Sequence, residues 1–315
     1  GIGGQAVMEG VMMRNQSKYA LAVRLEDGSI AVDVHQVKIE NEIIKKIPII
    51  RGIYSFVESL ILGIKTLMQS ASYFEEEDQA TIPKKQGKLL SEKEKERKET
   101  VQMVGTLFFS IVIALLVFMI LPFYLSKLFG IVISSNSILT LLEGIIRVLI
   151  FVLYVYFISK MEDIKRVFMY HGAEHKCINC IEHGMPLDVE HVKTSSRLHK
   201  RCGTSFIFFV FIVSIFVFMF IQSDSHLLQI IYRLLLVPLI AGISYEFIRL
   251  AGRHDNAVVA FFSKPGMWLQ NLTTKEPDDE MIEVGIAAVE GVFDWKKFRE
   301  DEGILMVLDI TVPGV

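Results

Sequence analysis

Met103-Val104-Gly105-Thr106-Leu107-Phe108-Phe109-Ser110-Ile111-Val112-Ile113-Ala114-Leu115-Leu116-Val117-Phe118-Met119-Ile120-Leu121-Pro122-Phe123-Tyr124-Leu125 carries no charged side chain from end to end. A helix rises about 1.5 Å per residue and a bilayer core is about 30 Å thick, so about 20 such residues cross it. Three further runs are predominantly apolar: Leu139 to Ile158, with Glu143 and Arg147 inside it, Ser205 to Gln222, and Leu227 to Ile248, with Arg233, Pro238 and Glu246 inside it. The mean hydropathy of the 315-residue chain is +0.42, above the range of soluble domains, and the excess sits in these four blocks. A soluble core this small cannot hide four such runs. The sequence therefore predicts a mainly α, polytopic membrane bundle of about four spans, with the lipid bilayer as its partner.

Lys and Arg set the expected orientation. The connection between the first two blocks holds only Lys127, and Ser223-Asp224-Ser225-His226 between the last two holds none. The middle connection carries Lys160, Lys165, Arg166, Lys176, Lys193, Arg197, Lys200 and Arg201, and Arg249 and Arg253 follow the fourth block. The positive-inside bias places that connection and both termini in the cytoplasm. No short apolar segment behind a basic start occurs in the first hundred residues, so no secretory signal is expected. A net charge of −3 points away from nucleic acid. All three cysteines fall in the cytoplasmic connection, where thiol or metal chemistry is expected rather than disulfides.

The rest of the chain divides by pattern. Residues 1–46 read as a β-hairpin unit, with strands Tyr19 to Leu25 and Ile30 to Val34 around a two-residue Asp27-Gly28 turn. Residues 47–70 are apolar but interrupted by Arg51, Glu58 and Lys65, a spacing of seven that puts three charges on one helix side. That stripe suits an interfacial or re-entrant helix better than a fifth span. Residues 71–102 form a charged linker, and 103–248 the membrane domain with a His/Cys loop at 159–204. In the cytoplasmic segment 249–315, Asp278 to Val292 reads as an acidic helix behind Pro277. With the N-terminal strands it predicts a small α/β unit.

Chemistry concentrates in Tyr170-His171-Gly172-Ala173-Glu174-His175-Lys176-Cys177-Ile178-Asn179-Cys180 and in Ser196-Arg197-Leu198-His199-Lys200-Arg201-Cys202-Gly203-Thr204-Ser205. If the second span continues as a helix, His171 and His175 lie one turn apart on one face, where two imidazoles can meet one divalent ion. Glu174 lies beside them as the candidate catalytic base for water, and His-x-x-Glu-His is an inverted zinc-hydrolase pattern. Three readings stay open. His171 and His175 with a third donor hold a hydrolytic ion, zinc by donor type; or Cys177, Cys180, His199 and Cys202 close a structural tetrahedron; or the histidines only adjust the charge of a basic loop. Among ionisable groups in the spans, Glu143 and Arg147 are spaced to pair with each other. Arg233 is placed to snorkel outward. Glu246 either completes the metal shell or pairs with Arg249.

Four blocks resemble the YqhQ family of bacterial membrane proteins: Gly3-Gly4-Gln5-Ala6-Val7-Met8-Glu9-Gly10-Val11-Met12-Met13-Arg14, Tyr170 to Lys176, Ser196 to Phe206, and Leu272-Thr273-Thr274-Lys275-Glu276-Pro277-Asp278-Asp279-Glu280. The resemblance covers almost the whole chain and implies a metal-dependent enzyme. His171, Glu174, His175, His199 and Cys202 fall inside matching blocks, whereas Cys177 is not part of the resemblance. The expected function is a membrane-embedded metal-dependent hydrolase. Glu174 is its base, His171 and His175 its ligands, and His199, Cys202, Cys180 or Glu246 candidates to complete the shell. The alternative is a transporter, channel or assembly factor with a structural metal or none.

Overall fold

The computed structural model of the chain describes residues 2–37, 46–81, 92–221, 223, 225–251 and 257–301. Gln222, Asp224, Arg253, the linker from 82 to 91 and the segment from 302 onward lie outside the described residues. Four strands open the chain: β1 (Ile2–Val7), β2 (Gly10–Asn15), β3 (Lys18–Arg24) and β4 (Ile30–Gln36). They pair in sequence order as one antiparallel sheet. Side chains alternate across it. Val11, Met13 and Ala22 face one side, and Val7, Met12, Tyr19, Leu21 and Val23 face the other. Both sides are covered, which is why β2 and β3 read as continuous apolar runs rather than polar-apolar alternation. The β3–β4 connection differs from the expected two-residue turn. Leu25 and Ser29 still pair, and Gly28, at φ +83°, closes a three-residue loop around Glu26, Asp27 and Gly28.

The helices are α1 (Ile50–Thr81), α2 (Glu92–Leu115), α3 (Leu121–Leu128), α4 (Asn136–Ile158), α5 (Glu162–Glu182), α6 (Val189–Thr194), α7 (Gly203–Met219), α8 (His226–Ala251), α9 (Ala257–Thr273), α10 (Asp279–Val292) and α11 (Trp295–Asp301). Helix α1 continues through residues expected to be linker, and α2 begins in them. It covers the Leu21 side of the sheet, with Leu62, Tyr73 and Phe74 against that cluster. Its charged stripe is engaged by the rest of the fold: Arg51 pairs with Glu246 on α8 at 2.5 Å, and Glu58 with Arg14 on β2 at 2.8 Å. The opposite side of the sheet packs on α5 and α10. Asp278 caps α10 by accepting from the Met281 N–H at 2.8 Å.

Among the described residues three helical segments are long and apolar enough to cross a membrane: Val104–Ile131, Asn136–Ile158 and His226–Leu250. The remaining apolar run, expected from Ser205 to Gln222, forms the 17-residue α7, which starts earlier, behind the Cys202 cap, and ends earlier, at Met219. Pro122 interrupts the first segment. It has no N–H for the Phe118 carbonyl four residues back, and a π-turn spans Leu116–Ile120. Helix α5 does not continue α4, as the sequence suggested. The chain breaks at Ser159–Met161 and restarts with Glu162 and Asp163 in the first turn, where acidic groups favour a helix N-terminus. At its other end, Gly184 at φ +70° stops α5. The Gly184 and Met185 N–H groups return to the Ile181 and Cys180 carbonyls.

Candidate metal centre

Helix α5 carries His171, Glu174 and His175 towards a loop, residues 195–202, that runs back over it. Three side chains tie that loop down. Lys176 Nζ donates to the Lys193 and Ser195 carbonyls at 2.9 Å each, and Asn179 Nδ2 to the Ser196 and Leu198 carbonyls at 2.6 and 3.1 Å. The buried Gln270 amide of α9 exchanges hydrogen bonds with the His199 backbone at 2.9 and 2.8 Å. His171, His175, Asn179 and Glu182 recur along one stripe of α5. That was a readable helical period whose last two members sequence analysis passed over. Gln270 and Thr273 had no local signal.

Each imidazole is fixed by its second nitrogen. His171 Nδ1 lies 2.8 Å from the Thr273 carbonyl and His175 Nδ1 2.7 Å from the Arg197 carbonyl. A carbonyl can only accept, so Nδ1 holds the proton and, in the neutral ring, Nε2 keeps a lone pair. One ring nitrogen of His171, one of His175 and Cys202 Sγ lie within 4.8 Å of one another; Nε2 is the nitrogen left free in each ring, and His171 Nε2 is 3.3 Å from Cys202 Sγ. Bonds of 2.0 to 2.3 Å in a tetrahedron need donors roughly 3.3 to 3.8 Å apart, so small side-chain movements suffice. Cys202 also accepts from the Thr204 N–H at 3.4 Å and lies 2.9 Å from Thr204 Oγ1, at the N-terminus of α7.

Glu174 stands against this group, Oε2 being 3.5 Å from His175 Nε2 and 3.9 Å from His171 Nε2. Burial pushes its carboxyl above the ordinary range, against the pull of His171 and His199 and a hydrogen bond from the Gly4 N–H. Gly4 must lack a side chain to approach this closely. A Cβ there would sit 2.6 Å from the Met12 carbonyl and 2.9 Å from Glu174 Cγ. On its other side Gly4 borders a cleft of about 420 Å³ between the sheet and α1, lined also by Gly3, Gln5, Arg14, Ser59 and Leu62.

The other candidates lie elsewhere. His199 lies tilted to the His175 ring, 5.7 Å away, but turns its Nε2 to Glu182 Oε2 at 3.2 Å. Burial holds its imidazole below the ordinary value. Cys180 Sγ is directed to the Pro186 carbonyl at 3.1 Å within the core. Cys177 is buried there too, opposite Gly285, and burial pushes its thiol well up. The four-ligand Cys177, Cys180, His199 and Cys202 set is therefore not assembled. Glu246 is held by Arg51 and the Ile49 N–H, with Arg249 only at 3.9 Å, and not by the histidines.

Fold and site together define a mainly helical, membrane-associated protein with a His-His-Cys grouping able to hold a metal. The family described as protein of unknown function (DUF1385) matches residues 47–295. The protein described as "Uncharacterized protein YqhQ" from Bacillus subtilis (strain 168) is 39% identical over 294 residues, 90% of this chain and 89% of that one. The chain belongs to this family. No solved structure matches it.

Proposed function

We propose that the protein is a metal-dependent hydrolase of the bacterial inner membrane, with its site at the cytoplasmic face. The observation that carries this reading is the convergence of His171 Nε2, His175 Nε2 and Cys202 Sγ, with both Nδ1 atoms committed to carbonyls. Two imidazoles and a thiolate suit zinc, and three protein donors leave a fourth position open, as hydrolytic sites require. A bound ion would supply Lewis acidity and make water a better nucleophile at neutral pH. Glu174 would serve as the base that accepts a proton from an attacking water. A carboxyl raised by burial is a stronger base than an exposed one, and Gly4 holds it in place. His171, at 18% side-chain exposure against 2% for His175, is the more solvent-accessible of the two imidazoles.

Metal analysis of the full chain in detergent, paired with complementation of a deletion strain, tests this. Wild type and Glu174→Gln are expected to carry one zinc per chain and His175→Ala none. Neither variant should complement, because the first lacks the base and the second the ion. General bases of this kind contribute about 10² to 10⁴-fold in rate. A metal-free wild-type chain, or full complementation by a metal-loaded Glu174→Gln variant, ends the hydrolase reading. One contact favours a second reading. The 3.3 Å Cys202–His171 approach is also that of a thiol nucleophile with its base. Alkylation of Cys202 that a chelator does not accelerate would support it.

A further inference from the structure

Helix α7 runs from Cys202 to Met219, roughly 25 Å at the α-helical rise, and its far end borders a different cluster. Glu143 on α4 is 2% exposed and accepts from Arg147 Nη2 at 2.5 Å and from Arg233 Nη1, which reaches both its oxygens at 2.5 Å. Arg233 is itself only 3% exposed, so it does not snorkel to the surface. The remaining Arg147 donors have partners: Nε takes the Phe118 carbonyl that Pro122 cannot serve, at 3.0 Å, and Nη1 the Ser214 hydroxyl at 2.9 Å. Arg233 differs. Its Nε is buried with no hydrogen-bond partner, and its guanidinium is otherwise flanked by the Phe123 and Phe218 rings at 4.7 and 4.9 Å.

One carboxylate thus stands against two guanidinium groups, deep among apolar helices. Among the described residues no other carboxylate pairs with Arg147, Arg233 or Lys127. Lys127 lines the same pocket as Glu143 and Arg233, with Asn136, Thr140 and Gln229, and its ammonium rests over the Phe123 ring at 5.6 Å. A buried surplus of positive charge is costly unless an anion accompanies it. The pocket holds about 20 Å³, room for one water-sized group.

We propose that this pocket binds a phosphate group, one anionic oxygen entering beside Arg233 while Lys127 pairs with the remainder at the mouth. The phosphate comes either from the headgroup of an anionic phospholipid or from solution. The proposal is independent of the His171 site.

Full-length protein in phosphatidylcholine nanodiscs, held at constant ionic strength with gluconate, is melted with increasing inorganic phosphate. It is melted in parallel in nanodiscs containing phosphatidylglycerol. Wild type is expected to melt several degrees higher with one or the other. Lys127→Ala should need about tenfold more ligand, and Arg233→Gln should not respond. Stabilisation by phosphatidylglycerol alone identifies the lipid headgroup, and stabilisation by inorganic phosphate alone identifies the free anion. No shift in wild type with either ligand overturns the proposal, as does a shift that Lys127→Ala retains in full. The Lys127 variant decides the matter even if Arg233→Gln does not fold.

Discussion

Cys177 and Cys202 are both buried sulfurs of the same segment, yet their surroundings assign them opposite roles. Cys202 faces His171 Nε2 at 3.3 Å, whereas Cys177 sits within the α5–α10 core opposite Gly285. Cys202→Ser is therefore expected to empty the proposed metal site. Cys177→Ser should leave the metal in place and lower stability by about 1–3 kcal/mol, the cost of an unpaired hydroxyl in an apolar setting. Metal content and melting of the two variants check this, and loss of metal from Cys177→Ser would reinstate the structural tetrahedron. The spacing of His171, Glu174 and His175 is local to one helix, so their shared face was legible in the sequence. That Cys202 rather than Cys180 or Glu246 meets them was not. It depends on how Asn179 and Gln270 fold the 195–202 loop back, and on Arg51 of a distant helix claiming Glu246.

Helix α5 owes its position to contacts at which no extra atom fits. Gly172 lies under the Lys275 carbonyl, and a Cβ would collide with that backbone oxygen. The Lys275 N–H in turn donates to the Phe168 carbonyl at 2.8 Å, so this approach ties α5 to the segment that follows α9. Gly172→Ala gains about 1 kcal/mol of intrinsic helix propensity. It loses about 1–3 kcal/mol by overpacking against backbone, which has less freedom to move than a side chain. The collision wins, so the variant is expected to melt a few degrees lower and to bind zinc more weakly, because His171 shares this contact through Thr273. A melting point equal to or above wild type would show that the 274–277 segment can yield. Taken by itself, a glycine inside a helix only lowers helix propensity. Its purpose appears when α9 is in place. The strands β1 and β2 escaped notice for a related reason: Gly3-Gly4 and Met12-Met13 have little strand character, and two-sided burial by α1 and α5 supplies what propensity does not.

At the scale of the molecule, two environments meet on one chain. The sheet, α5 and α10 form a core with both sheet faces covered, while only 6% of the most apolar part of Val104–Ile131 is buried by the rest of the protein. Phe108, Phe109 and Leu128 stand 65–69% exposed on that segment, which a water-soluble surface of this extent would not tolerate and lipid would. The division between runs long enough to span and the rest was legible because bilayer thickness sets helix length. The buried Glu143–Arg147–Arg233 cluster was only half legible, since the i, i+4 pair is local and the third member comes from α8. Charge supplies the proposed orientation. The α4–α7 connection, with α5 and α6, carries eight Lys and Arg residues between 160 and 201, against Lys127 alone from the last turn of α3 to the start of α4. Cytoplasmic retention of basic segments predicts that a reporter fused after Ser134 reads as external and one fused after Glu190 as cytoplasmic. The same result places His171, His175 and Cys202 on the reducing side, where a cysteine can remain a thiolate ligand rather than enter a disulfide. An external signal after Glu190 would invert the topology and put Cys202 in an oxidising compartment. The phosphate pocket beside Arg233 would then face the cytoplasm, so one fusion series fixes the sidedness of both proposed sites.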